Sequence, residues 1–347
     1  MNIFGNKIKV AFFGKSHDQF IGLTITGLPK NKKIDFSIID QALSKRRPKF
    51  SFNTSRVEDD EYDINKGLDE NFITTGDPIT VIIKNKNVNA SEYNFNGYLR
   101  PSHADYTQFI KYDQLNIKGG GMSSGRMTVL FVVLGAICKQ FLDNPLVCSH
   151  IYKVKDLEDE KLTKADYYKL TSSDFPVIND EVKEKMLSLV ENAFKDGDSL
   201  GGVIETMIIN PKAGLGEPFF NSFESILSHL LFSVPAVKGV EFGDGFDFSK
   251  HYGSEVNDAF ALSDGKVVTK TNHNGGINGG ISNGMEITFK VVIKPTPTIR
   301  KPQESLNLYT KKMEVKEISG RHDSFICNRV IEVINSICYY VLLDFSL

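Results

Sequence analysis

Met127, Leu130, Phe131, Leu134, Ile137, Cys138, Phe141 and Leu142 recur at helical spacing directly behind three consecutive glycines, Gly119, Gly120 and Gly121. A helix this apolar must be covered on nearly every side. It is well short of the roughly 18 to 20 apolar residues of a membrane span and follows Arg126, so protein, not lipid, has to cover it. The covering elements are legible on both sides of it. Alternation at Ile21, Leu23 and Ile25 predicts a strand, Asp35 or Ser37 then caps a helix carrying Ile38, Ile39, Ala42 and Leu43, and a second strand spans Ile79–Lys84. The second half repeats this grammar with a strand at 203–209, a helix through Ile226, Leu227, Leu230 and Leu231, and a strand at 237–242. A clear alternating strand at Ile287, Phe289, Val291 and Ile293 and a last apolar helix at 330–343 follow. The stretch 85–118 reads as a long irregular loop, of a length uncommon unless it works. Residues 153–199 are charged and read as a peripheral insertion with a helix at 181–195, closed by Asp196 and Gly197. No linker or short repeat separates the parts, so the expected architecture is one α+β domain over residues 1–347 built from two similar halves.

With 347 residues the chain can bury a large core, and 41 basic against 43 acidic side chains leave a formal charge of −2. That balance argues against a surface built to coat nucleic acid, while leaving room for a local basic pocket. Cys138, Cys148, Cys327 and Cys338 show no C-x-x-C or zinc-like spacing and read as free thiols in a reducing compartment. The start, MNIFGNKIKVAFFGKSH, lacks a signal-peptide pattern, so a cytoplasmic location is expected, with no membrane partner. No histidine or carboxylate pair has metal-ligand spacing, and no metal is expected.

Five polar segments stand where a core-building sequence would not put them: Gly14-Lys15-Ser16-His17, Arg100-Pro101-Ser102-His103-Ala104-Asp105, residues 119–126, Lys294-Pro295-Thr296-Pro297-Thr298, and Gly320-Arg321-His322-Asp323. Each lies at the end of an element. Glycine-bounded turns of this kind let backbone N–H groups and hydroxyls approach an anion. The triple glycine lacks the Walker lysine and the G-x-G-x-x-G spacing and signals little alone. His17 and His103 each suit a structural role singly, whereas as a pair in such loops they are candidate proton donors. Asp323 suits either a base or an arginine partner. From composition alone the Lys45-Arg46-Arg47 cluster before Pro48 reads as a solvated helix end matched to the dipole.

Taken in order, these segments resemble the chorismate synthase family. Gly14-Lys15-Ser16-His17, with Ile21-Gly22 and Gly27-Leu28-Pro29, resembles the family's G-E-S-H signature. Residues 119–126 resemble G-G-G-R-S-S-A-R, and Arg321-His322-Asp323-Ser324 resembles R-H-D-P. Arg46-Arg47-Pro48, Thr74-Thr75-Gly76-Asp77-Pro78, Arg100 to Asp105, Asp198-Ser199-Leu200-Gly201-Gly202 and Lys294-Pro295-Thr296 match further blocks, so the likeness spans nearly the whole chain.

The resemblance implies a β-α-β sandwich core with internal pseudo-symmetry, a homotetramer and bound reduced FMN. The implied reaction converts 5-enolpyruvylshikimate 3-phosphate to chorismate by anti-1,4-elimination of phosphate in the shikimate pathway, with no net redox. It also implies roles. His17 would protonate the flavin, His103 would donate toward the leaving phosphate, and Asp323 would help deprotonate the flavin, with Ser16 and Ser124 as relays. Arg46, Arg126 and Arg321 would bind the substrate. Ser123, Ser124, Ala236, Gly279, Lys294, Pro295, Thr296, Pro297, Thr298 and Arg321 would contact FMN. The chain departs from the pattern at Lys15, Asp18, Met122, Pro235 and Ser324, and the arginine usual soon after Arg46-Arg47 has no counterpart in residues 49–52. Lys15 would lower the basicity of His17 if its ammonium points inward. A paralogue that keeps the assembly and pocket without catalysis, or a flavin site for another phosphorylated anion, are the competing expectations. Retention of His17, His103 and Asp323 together argues for the active enzyme.

Overall fold

The computed structural model describes residues 3–86, 95–113, 118–143, 145–318 and 322–347. Its first half supplies β1 (Ile3–Phe4), β2 (Lys9–Gly14), β3 (Phe20–Thr26), helix α1 (Phe36–Arg46), β4 (Tyr62–Lys66) and β5 (Ile79–Lys84). The strands form an antiparallel sheet in the order β1-β2-β3-β5-β4. Register explains the alternation seen in sequence: Ile21, Leu23 and Ile25 pair with Ile83, Val81 and Ile79, which sets all six buried side chains on one face. Helix α1 starts where Asp35 accepts a hydrogen bond from the Ser37 N–H at 2.8 Å. It stops at Arg46 because Arg47, ahead of Pro48, is extended with ψ 151°.

The stretch expected to be irregular holds helix α2 (Asp105–Tyr112). Only Gln108 of α2 is buried, so no apolar stripe marks it in the sequence. Two 3₁₀ turns, Lys118–Ser123 and Gly125–Thr128, lead into α3 (Val129–Lys139). Ser124 caps the second of these turns, its hydroxyl accepting from the Arg126 N–H at 3.2 Å.

The second half runs β6 (Leu146–Val154), β7 (Leu157–Glu158), α4 (Tyr167–Thr171), α5 (Asp180–Lys195), β8 (Gly202–Ile209), α6 (Phe223–Phe232) and β9 (Val237–Phe242). After α7 (Gly253–Val256) come the hairpins β10 (Phe260–Ser263) with β11 (Lys266–Thr269) and β12 (Ile277–Asn278) with β13 (Ile281–Ser282). Strand β14 (Ile287–Ile293), the hairpin β15 (Gln303–Asn307) with β16 (Lys312–Lys316), and α8 (Cys327–Ser346) close the chain. The second sheet has the order β7-β6-β8-β14-β9. Its inner order repeats the first: β2-β3-β5-β4 and β6-β8-β14-β9 are the same strand, strand, helix, strand, strand, helix unit folded twice. The chain is therefore an α+β sandwich with internal pseudo-symmetry.

Between the two sheets lie α1, α3, α6 and α8, with α3 crossing α8, α1 touching both, and α8 seated on β6 and β8. One apolar cluster runs through this layer from Ile8 to Leu343. The N-terminal loop is tied to the last helix, since Asp344 accepts from the N–H groups of Asn6, Lys7 and Ile8 at 3.1, 2.8 and 2.6 Å. Strand β6 escaped the sequence reading because buried Ser149 and His150 interrupt its apolar run. His150 sits between Asp159 and Glu205, at 2.9 Å from each. Burial opposes its charge, but the two carboxylates hold the imidazole above its ordinary pKa.

The crossing of α3 and α8 depends on Gly135. A Cβ there would lie 2.3 Å from the Ser336 carbonyl oxygen and 2.4 Å from its Cα. On helix propensity alone, alanine would gain about 1 kcal/mol. Overpacking reverses the sign, so Gly135→Ala should cost about 1 to 3 kcal/mol in urea denaturation. A neutral or stabilised variant would show that the two helices separate without penalty.

Candidate active site

Where the C-terminal ends of α1 and β14, the N-terminal side of α2, the glycine-rich turns before α3 and the start of α8 meet, they enclose a cavity of about 480 Å³. That is within the roughly 300 to 1,000 Å³ of small-molecule sites. One wall is apolar, made by Val234, Pro235, Ala236, Pro297, Ile326, Val330 and Val333. The other is cationic: Arg46, Arg47, Arg56, Arg100, Arg126, Arg329 and Lys294 line it, against the carboxylates Glu58, Asp60 and Asp323.

Most of these guanidiniums are held in place. Arg46 donates from Nε and Nη2 to Thr128 Oγ1 at 3.3 and 3.1 Å and from Nη2 to the Gly125 carbonyl at 3.0 Å. Burial, then the neighbouring Arg329, push its pKa down to about 9, against the pull of Asp60. Arg126 donates to Asn85 Oδ1 at 3.0 Å, to the Lys84 carbonyl at 3.5 Å and to Asp60. Arg56 grips Glu58 at 2.9 and 2.7 Å. Arg329 binds both Asp323 oxygens at 2.9 and 2.8 Å, and Thr54 N–H donates to the same carboxylate at 2.9 Å.

His103 stands on the turn before α2. Its Nδ1 is 3.1 Å from the Pro101 carbonyl, which can only accept, so Nδ1 carries the proton. In the neutral ring Nε2 then accepts from the Thr298 hydroxyl at 2.6 Å. Arg100 braces the turn through paired bonds to Asp105, at 2.9 Å from Nε and 2.6 Å from Nη2. Lys294 Nζ reaches the Ser102 carbonyl at 2.9 Å, which ties the 294–298 segment to the same turn. Two buried atoms, Thr296 Oγ1 and Arg47 Nε, have no hydrogen-bond partner among the described residues, and both residues line the cavity. A polar ligand in the cavity would satisfy both.

Of the residues singled out in sequence, Arg46, Arg126, His103, Asp323, Ser123, Ser124, Ala236, Lys294, Thr296, Pro297 and Thr298 line this one cavity. Ser16 and His17 lie outside its lining. Ser16 is fully buried, its N–H donates to the Gly121 carbonyl at 3.3 Å, and its hydroxyl is 3.0 Å from His17 Nδ1. Lys15 is exposed. Gly279 is at the exposed turn of the β12–β13 hairpin, and Pro295 is exposed, so neither lines the cavity. Arg321 lies outside the described residues. Sequence reading missed Arg56, Glu58, Asp60 and Arg329. Arg56, Glu58 and Asp60 belong to the charge-rich run 56–61, and Arg56 adds a further guanidinium to the cavity wall.

Fold and cavity together define an α+β sandwich with a small-molecule site for a polyanion that also has an apolar face. The chorismate synthase family model matches residues 8–347. A chorismate synthase of Dehalococcoides mccartyi is 37% identical over 361 residues, covering 100% of this chain and 96% of the relative. One of Pyrococcus abyssi is 39% identical over 346 residues, covering 98% and 96%. A crystal structure of chorismate synthase superposes with a TM-score of 0.75 at 23% identity, covering 99% of this chain and 92% of that one. This chain belongs to the chorismate synthase family.

Burial, followed by the Arg100 charge, pushes the pKa of His103 down to about 4 from an ordinary 6.5. A folded-state value below the unfolded one gives stability that is present above about 6.5 and lost as the pH falls toward 4. An NMR titration of the ligand-free protein should find the His103 imidazole neutral through pH 6, and Arg100→Gln should raise its midpoint. A parent midpoint at the ordinary value would mean the ring is solvated.

Proposed function

We propose that the chain makes chorismate from 5-enolpyruvylshikimate 3-phosphate by anti-1,4-elimination of phosphate, as a carbon–oxygen lyase of the shikimate pathway. Membership of the family over residues 8–347 carries this reading. The cavity supports it: a phosphorylated dicarboxylate needs several planar donors, and Arg46 and Arg126 are presented side by side with Arg56, Arg100 and Lys294 around them. A paralogue without catalysis is not favoured, because the cationic wall, His103 and Asp323 stand together in one cavity.

The residues present also fit FMN. Thr296 Oγ1 is buried without a partner among the described residues, and the wall of Val234, Pro235, Ala236 and Pro297 suits a flat ring. Ser123, Ser124, Ala236, Lys294, Thr296, Pro297 and Thr298 would hold it; the resemblance adds Gly279 and Pro295, which lie outside the cavity lining, and Arg321, outside the described residues. Reduced FMN, when bound, supplies electron density transiently to the elimination with no net redox change. The rest falls to the chain. The arginines bind and orient the anionic substrate, and the apolar wall excludes water. His103, neutral in the empty cavity, takes up a proton as a phosphate dianion approaches, because opposite charge favours the imidazolium, and donates it from Nε2 toward the leaving group. As the resemblance implies, Asp323, fixed by Arg329, would be the base, and His17 with Ser16, which stand outside the cavity lining, a second proton donor, with Ser124 as a relay.

A homotetramer and a cytoplasmic location belong to the same reading. Phe219 and Phe220, 87% and 91% exposed, are the kind of surface an assembly covers. No helix among the described residues is long and apolar enough to cross a membrane.

Anaerobic incubation of the protein with reduced FMN and 5-enolpyruvylshikimate 3-phosphate should release chorismate and phosphate in equal amounts. His103→Ala should lower turnover by about 10²- to 10⁴-fold, the range of a lost general acid. Saturable flavin binding without any chorismate in the parent would instead select the reading in which the site serves another phosphorylated anion.

A further inference from the structure

Arg46 and Arg126, the two guanidiniums best placed for an anionic substrate, share one internal counter-ion. Asp60 lines the cavity and is only 4% exposed. Arg126 Nη1 donates to its Oδ1, and its Oδ2 lies 4.0 Å from Arg46 Nη1. The backbone is built to hold it there, with Asp60 at φ +55°, a left-handed conformation that aspartate and asparagine accept more readily than most residues. Nε and Nη2 of both arginines also donate to neutral oxygens, those of Thr128, Gly125, Asn85 and Lys84. Asp60 is thus the carboxylate that an incoming anion must compete with for these two side chains.

We propose that Asp60 is a positioning residue that keeps Arg46 and Arg126 aligned in the empty cavity and, by competing for them, sets how tightly the cavity retains a bound phosphate. Two uncompensated guanidiniums facing one buried space would trap any small oxyanion, including the phosphate that the elimination releases. A carboxylate that re-forms its own bonds as phosphate leaves offsets that trap and favours a ligand whose several anionic groups engage the whole cationic wall. This assignment rests on the anionic substrate of the reading above, but its test needs only inorganic phosphate, so either idea can fail without the other.

The experiment is calorimetric titration of inorganic phosphate into the parent, Asp60→Asn and Asp60→Glu. Asparagine accepts the same backbone conformation without the charge, and glutamate keeps the charge. Asp60→Asn should bind phosphate at least tenfold more tightly than the parent, and Asp60→Glu should stay close to the parent. With substrate and reduced FMN, phosphate should inhibit Asp60→Asn at correspondingly lower concentration, and its kcat should fall more than its KM rises. Unchanged or weaker phosphate binding by Asp60→Asn would overturn the proposal, as would an equal gain in Asp60→Glu, which would make shape and not charge responsible. If Asp60→Asn does not fold unaided, its refolding yield with and without phosphate carries the same decision: rescue by phosphate supports the competition, and equal yields reject it.

Discussion

The close crossing of α3 and α8 at Gly135 is the contact on which the rest of the molecule hangs. Each helix ends one of the two repeated halves, so their contact is where the halves join. With both helices covered on all sides, ten consecutive residues of α3, from Val129 to Cys138, are buried, and α8 is buried along most of its length. Because the crossing fixes α3 against α8, it also fixes what precedes each helix. The 3₁₀ turn bearing Arg126 enters α3, and Asp323 lies just ahead of α8. The site is thus assembled at the leading ends of the two central helices, and its geometry follows from core packing.

Electrostatics then order the cavity. Arg126, Asp60 and Arg46 alternate in sign, and Arg329, a like charge beside Arg46, is paired with Asp323 and donates to the Arg46 carbonyl at 3.1 Å. Buried charge is tolerable only when paired and hydrogen-bonded, and each of these groups has such partners. An array of this kind is already oriented before any ligand enters, which lowers the cost of ordering donors around a polyanion. His103 is the counterpart held uncharged: burial and Arg100 keep it neutral, Pro101 fixes its tautomer, and the Thr298 hydroxyl donates to its Nε2.

The sequence alone determined the alternating strands, the capped helix α1, the long buried helices and the doubled pattern of elements, because these follow from local periodicity and end signals around Asp35, Pro48 and Gly197. It also marked Arg126, His103 and Asp323 as polar residues out of place in a core-building pattern, whereas Arg46 stood out only through the family resemblance. It did not mark α2, whose single buried residue, Gln108, leaves no stripe to read, or β6, where Ser149 and His150 are buried through partners from distant segments. Nor could it tell that Gly279 lies on an exposed hairpin while Arg56, Asp60 and Arg329 face the cavity. Those facts depend on which loops the two sheets bring together across a hundred or more residues. Local propensity cannot encode that proximity, and only the packing of α3 against α8 between the sheets decides it.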